Sequence, residues 1–229
     1  MATKISRREF LKATAATGSA VMAGGTFFLP SPHFTFVGEA GAADFPKPQV
    51  DGGKALMQLL KERKSLREFR PDKLPPQVIS NLLWAAFGIN RPDGKRTAPT
   101  ARNRQDIDVY ISMAEGVYLY DAQAHALKLV AEEDIRGLTG TQPYVKGAPV
   151  NLVYVADLAK TGNLPEEEKN LFAGAHAGFI SQNVYLFCAS EGLSTVVRAL
   201  IDRPALAKAM KLRSDQKIVL AQCVGYPKG

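Results

Sequence analysis

Hydrophobic positions recur along the chain with two different periods, and the switch between them marks its elements. Leu56, Leu59 and Leu60 stand at helical spacing within residues 54–64, which predicts a short amphipathic helix. Pro75-Pro76 opens a second helix carried by Val78, Ile79, Leu82, Leu83 and Ala86 and stopped by Gly88. From Ile107 to Met113 the period falls to two, the signature of a strand. Val117–Tyr120 and Ala126–Val130 then flank Asp121–His125 as a hairpin. Val150 to Ala156 is an almost unbroken apolar run, which reads as a strand buried on both faces. One long helix is predicted from Pro165 to Gly192, with three glutamates where the helix dipole favours them. Thr195–Val197 follows as a short strand, Arg203–Met210 as a helix and Lys217–Val224 as a last buried strand. This succession is α+β.

Two segments stand out from that pattern. Arg91 to Arg104 is a polar connector with Gly94 and two prolines, and ordered loops of that length usually carry function. The long helix has apolar residues on most of its surface (Leu171, Phe172, Phe179, Ile180, Val184, Phe187), so it is expected to be buried nearly all round. Its Gly174 and Gly178 allow a second backbone to approach closely. That backbone belongs either to the same core or to a second copy of the chain.

Composition narrows the class. Of 229 residues, 46% are hydrophobic and 22% charged, an ordinary globular mixture. The two cysteines, Cys188 and Cys223, cannot build a disulfide framework, and Cys188 sits in an apolar pattern that suits a core. His33, His125 and His176 lack metal-ligand spacing, and His176, between two alanines, suits a satisfied core histidine. No metal site is expected, and no apolar window is long enough for a stable membrane span.

The N-terminus changes the picture again. Ser6-Arg7-Arg8-Glu9-Phe10-Leu11-Lys12 precedes a weakly hydrophobic stretch and the small-residue site Ala40-Gly41-Ala42. The S-R-R-x-F-L-K string resembles the twin-arginine signal, which implies export of a folded protein to the periplasm and removal of residues 1–42. A retained amphipathic helix is the alternative, but the Ala/Gly/Thr stretch offers no polar face for it. Residues 43–53 then form a linker or arm and residues 54–229 the functional domain. Without residues 1–42 the net charge falls from +7 to +5, through loss of Lys4, Arg7, Arg8, Lys12, Glu9 and Glu39. The excess is mild and not clustered with aromatics, so nucleic acid is not an expected partner; one or two phosphates would account for it.

Candidate chemistry is confined to two strings. Arg63-Lys64-Ser65-Leu66-Arg67-Glu68-Phe69-Arg70 places guanidinium, ammonium and hydroxyl donors together, the set a phosphate monoester needs. A solvated basic face at a helix C-terminus is the plainer reading of the same residues. Thr97–Gln105 is a loop of small and amide residues in which Asn103 and Gln105 could read the heteroatoms of a planar ring. No nucleophile elbow, catalytic triad or dinucleotide fingerprint occurs. Phosphate-binding groups without a catalytic side-chain set suggest that a bound cofactor carries the chemistry.

Taken in order, these segments resemble the FMN-dependent nitroreductase superfamily. Arg63-x-Ser65-x-Arg67-x-Phe69 is similar to its R-x-S-x-R-x-F motif. Pro99-Thr100-x-x-Asn103-x-Gln105 resembles P-S-x-x-N-x-Q, with Thr100 for serine and Asp106 where many members have proline. Asn183-x-Tyr185-Leu186, Gly192-Leu193 and Val224-Gly225-Tyr226-Pro227 match further patterns, and the Gly116–Leu127 hairpin looks most like the azoline-forming dehydrogenase branch. The resemblance implies a mixed, mostly antiparallel sheet flanked by helices around a long central helix. It also implies a homodimer with an FMN in each of two interfacial pockets. By the same resemblance Arg63, Lys64 and Ser65 hold the phosphate and Arg67 lies near the pyrimidine edge. Pro99, Thr100, Ala101, Asn103 and Gln105 line the ribityl chain and ring from the partner subunit. Val197, Arg198 and Ala199 run beneath the ring and offer it a backbone N–H, and Lys228 supplies a C-terminal cation. No side chain is implied as the catalyst, since flavin N5 carries the chemistry.

The expected activity is two-electron transfer between a reduced donor and a small organic acceptor by a ping-pong mechanism, with NAD(P)H as one candidate donor. A dehydrogenase of a peptide or small molecule, or a flavin-binding protein without turnover, are the alternatives.

Overall fold

A computed structural model describes residues 42–229; the twin-arginine string lies outside the described residues. The strands are β1 (Ala42–Asp44), β2 (Ile107–Met113), β3 (Gly116–Asp121), β4 (Ala126–Ala131), β5 (Val150–Asp157), β6 (Ser194–Arg198) and β7 (Gln216–Gly225). The α-helices are α1 (Leu56–Glu62), α2 (Pro76–Phe87), α3 (Glu166–Glu191) and α4 (Arg203–Ala209). Six strands, β2 to β7, form the sheet, and the short β1 is added at one edge, in the order β1-β4-β3-β2-β5-β7-β6.

Every neighbouring pair in the sheet is antiparallel, so the sheet is not mixed. The reason lies in β7, which enters between β5 and β6 and runs opposite to both. Period two explains why β5 is so uniformly apolar. Leu152, Tyr154 and Ala156 face one core with α2 and α3, while Val153 and Val155 face a second core with Leu206 and Met210 at α4. Both faces of β5 are thus covered by its own chain.

The long helix departs from its expectation. Its first turn carries Glu166, Glu167 and Glu168, and Gly192 closes it in the left-handed conformation at φ 68°. Ala173, His176, Ala177, Ile180, Val184 and Cys188 are buried, with α2 and the sheet against them. Leu171, Gly174, Ala175, Phe179 and Gln182 are exposed, Leu171 by 67%. The helix is therefore not buried all round, because a single chain covers only one side of it. Nor do Gly174 and Gly178 serve close packing among the described residues: a side-chain carbon at either would meet no neighbouring element within 4 Å.

The arm is also more than a linker. Its start pairs with β4 through Ala43↔Leu127, and Ser80 Oγ donates to the Pro46 carbonyl at 2.6 Å. Gln77 Nε2 donates to the Lys47 carbonyl, and Asn81 Oδ1 accepts from the Gln49 N–H. Backbone groups with partners on α2 hold the arm in place despite its lack of apolar pattern.

Candidate functional site

Where α1 ends, Arg63 turns the chain to extended backbone (φ −57°, ψ 122°). The Leu66 N–H donates to the Thr195 carbonyl at 3.0 Å, and the Arg70 N–H to the Tyr226 carbonyl at 3.0 Å. Phe69 bridges to Pro227, so residues 63–70 run along β6 and the end of β7, with Lys228 close behind. Side chains of an extended segment alternate, and this divides the basic string in two. Arg63 and Ser65 both meet Tyr185 of α3: the guanidinium lies 5.2 Å from the ring centroid, and Ser65 Oγ lies 2.8 Å from the phenol oxygen. Lys64 instead lines a cleft of about 520 Å³ with Leu66, Lys54 and Lys61. The structure therefore groups Arg63 with Ser65 and turns Lys64 away from them.

Tyr185 is the residue that sequence reasoning passed over; it stood within the Asn183-x-Tyr185 pattern without a role. Its oxygen also accepts the Val197 N–H at 3.0 Å. Either hydroxyl can donate in the Ser65–Tyr185 contact; when Tyr185 donates, the Ser65 proton is left for an incoming acceptor. Arg63, Lys64, Arg67 and Lys228 make no ion pair among the described residues. An unpaired guanidinium, Arg63, beside a hydroxyl suits a phosphate.

The second string forms a strained loop. Pro99 is exposed, and Ala101–Asn103 make a single 3-10 turn. Arg102, Asn103 and Gln105 have φ of 53°, 53° and 49°. Left-handed backbone at a non-glycine residue costs about 1–2 kcal/mol each, so the surroundings must enforce this shape. Several contacts do so. Thr100 Oγ1 accepts the Gln105 N–H at 3.0 Å, and the Asn103 N–H donates to the Thr100 carbonyl. Gln105 Nε2 donates to the Gly94 carbonyl and to Asn103 Oδ1, while its Oε1 accepts from Arg96 Nε at 2.8 Å. Gln105 thus braces its own loop with both ends of its amide, where the sequence suggested a ring-reading group. Arg96 lies over the Phe87 ring at 4.4 Å, and burial lowers its pKa. The Ala101 N–H donates to Nε2 of His176 at 2.8 Å, and His176 Nδ1 lies 2.7 Å from Asp106 Oδ1. His176 is, as expected, a buried and satisfied histidine.

On β6 the three expected residues separate. Arg198 points its side chain away from this region into the interior. There it donates to Thr139 Oγ1 (2.6 Å), Asn151 Oδ1 (2.8 Å) and Cys223 Sγ (3.1 Å). Its side chain is therefore no part of the surface on which a ring would lie. The Val197 N–H is taken by Tyr185. By strand alternation Ala199 presents the next N–H on the open side of β6, and it has no backbone partner among the described residues.

Both halves of the site hang on α3 but do not meet. His176 holds the loop and Tyr185 holds the basic string, nine residues apart. That is about 13 Å along the axis at ~1.5 Å per residue, and half a turn around it at about 100° per residue.

The nitroreductase family profile matches residues 60–226, more than half the chain. The chain belongs to the nitroreductase family. A crystal structure of a nitroreductase homologue from Ralstonia eutropha is 40% identical and superposes with a TM-score of 0.80, over 84% of this chain and 93% of that one. A nitroreductase relative from Methanocaldococcus jannaschii is 27% identical over 62% of this chain and 76% of its own length. A chain of the Escherichia coli microcin synthetase complex shares the nitroreductase fold at 19% identity and a TM-score of 0.63, over 100% of this chain and 84% of that one. The family supports an oxidoreductase, and nitroreductase-family members generally use flavin cofactors.

Proposed function

We propose that this nitroreductase-family chain is an FMN-dependent oxidoreductase, assembled as a homodimer and exported to the periplasm by the twin-arginine route. The observation that carries the reading is the pairing of Arg63 and Ser65 on Tyr185, with no ion pair to Arg63 among the described residues. In this reading Arg63 and Ser65 hold the FMN phosphate, Arg63 by a two-pronged charged contact and Ser65 by its hydroxyl. Arg67 and Lys228 add positive charge nearby. Ala199 offers its backbone N–H towards the ring, and Tyr185 keeps the Val197 N–H out of competition for it. The flavin supplies hydride transfer at N5, between a reduced donor and a small organic acceptor in alternate half-reactions. No side chain is asked to act as acid or base.

The homodimer is supported by the separation of the half-sites on α3. Thr100, Ala101 and Asn103 of one copy can complete the pocket opened by Arg63 and Ser65 of the other. The exposed apolar surface agrees: α1 buries none of its residues, and Met57 on it is 77% exposed. The resemblance of the Gly116–Leu127 hairpin favours the azoline-forming dehydrogenase branch within the same fold.

The test is a fluorescence titration of apoprotein with FMN. Arg63→Ala should weaken binding by about 1.5–3 kcal/mol, the range for a hydrogen bond to a charged group. Unchanged affinity would remove the phosphate assignment.

A further inference from the structure

The buried pair His176–Asp106 has no part in the proposed flavin contacts, yet it meets the candidate flavin loop at its tightest point. A backbone N–H can only donate, so the Ala101 contact at 2.8 Å makes His176 Nε2 an acceptor. The ring proton then sits on Nδ1 and is donated to Asp106 at 2.7 Å, which fixes that tautomer. Both side chains are buried, and Phe172 stacks on the imidazole at a centroid distance of 5.9 Å and 17° between planes. Asp106 is itself anchored, since its carbonyl accepts the Asp157 N–H at 2.8 Å. The chain of contacts runs from β5 through Asp106 and His176 to the first residue of the left-handed turn.

The loop's other braces, Gln105 to Gly94 and Asn103, and Thr100 to Gln105, join loop to loop, while Gln105 to Arg96 reaches α2 through Phe87. His176 is the side chain that ties the turn to α3, the helix that also carries Tyr185. We propose that His176 is a positioning residue whose tautomer Asp106 fixes: it holds residues 100–105 in the strained shape that receives the flavin, and sets it relative to α3. The inference rests on the FMN reading above.

Two conservative variants separate its parts. His176→Gln keeps an acceptor at the Nε2 position, within reach of the Ala101 N–H. His176→Asn reaches only as far as Nδ1, so it keeps the Asp106 contact and leaves Ala101 unpaired. His176→Gln leaves the buried Asp106 carboxylate without its donor, a larger defect than the unpaired N–H left by His176→Asn, so a merely structural role would make His176→Gln the worse of the two. Apoprotein of each variant is titrated with FMN, and trypsin cleavage after the exposed Arg102 is followed without flavin. His176→Asn should weaken FMN binding about tenfold or more, the scale of one lost hydrogen bond with its ordered loop, and speed cleavage comparably. His176→Gln should stay within about threefold of wild type in both. In wild-type apoprotein, the Ala101 amide should exchange with solvent more slowly than the Arg102 amide. Equal losses in the two variants, unchanged FMN affinity in His176→Asn, or rapid exchange at Ala101 would each overturn the positioning role. Wild-type protein without FMN affinity would instead overturn the flavin reading, and this inference with it.

Discussion

Arg198 shows how a residue that a motif places against a ligand can instead be built into the interior. Its guanidinium is buried, and its contacts are a hydroxyl, an amide oxygen and a sulfur, with no acid among them. Burial lowers the Arg198 pKa, and burial also pushes the Cys223 thiol up to about 11, against the pull of the guanidinium. Cys223 donates to Asn151 Oδ1 at 3.1 Å, as a protonated thiol must. The cation is therefore held by dipoles alone, and its packing tolerates little change. Gly140 lies against it: an added side-chain carbon would stand 2.5 Å from Arg198 Nε and 2.8 Å from Gln142 Oε1. Three hydrogen bonds keep Arg198 from swinging aside. Gly140→Ala should accordingly destabilise the protein by about 1–3 kcal/mol, read as a lower urea midpoint with unchanged slope. Wild-type stability in that variant would mean that the arginine yields. Tyr185→Phe tests the other side of β6, because it deprives both Ser65 and the Val197 N–H of a partner. It should cost about 1–3 kcal/mol of stability by the same measurement, and no loss would show that water replaces the phenol.

At the scale of elements, the arm, α2 and the β3–β4 hairpin are joined through one imidazole. Ser80 uses its proton on the Pro46 carbonyl, so it accepts from His125 Nε2 at 2.8 Å. Nδ1 in turn accepts from the Tyr120 hydroxyl at 2.9 Å. This order requires a neutral ring, and burial lowers the His125 pKa while it raises that of Tyr120. A folded-state value below the unfolded one gives stability that is complete above about pH 6.5 and lost as pH falls through the folded value. The wild-type urea midpoint should therefore fall between pH 7 and pH 5 by more than that of His125→Gln; equal falls would refute the linkage. The strands around this junction were legible because apolar alternation fixes them: β2 begins and ends where its pattern does, and β5 is buried on both faces as its unbroken run required. The helix α2 lies between the Pro and Gly signals that bound it. β1 was not legible, since Ala-Ala-Asp has no strand pattern; it pairs with β4 through its backbone. The His176–Asp106 contact spans 70 positions, and no local spacing announces it. The bracing role of Gln105 and the left-handed backbone of its loop were missed for a related reason: none of these residues is glycine, so the usual marker of such backbone was absent. The basic string was legible as chemistry, but its division into Arg63 and Ser65 against Lys64 depended on the extended conformation that follows α1.

For the whole molecule the deciding feature is the uncovered side of α3. Periodicity identified its residues as apolar but could not say which chain would cover them, and the single chain leaves Leu171, Phe179 and the two glycines open. Gly178 isolates the contribution of a second copy. A side-chain carbon there meets no neighbouring element within 4 Å among the described residues, so Gly178→Leu should not overpack the monomer. A helical glycine replaced by leucine should even favour the helix by up to about 1 kcal/mol. Across a dimer interface the same side chain would stand where two backbones approach, and overpacking there costs about 1–3 kcal/mol for each copy. Dimer content and bound FMN should therefore fall together in Gly178→Leu, by light scattering and flavin absorbance, while the helical circular dichroism signal is kept. A variant that became monomeric with its full flavin content would sink the shared pocket, because one chain would then suffice to hold the cofactor. A variant that remained dimeric and loaded would place the interface elsewhere, on the exposed face of α1.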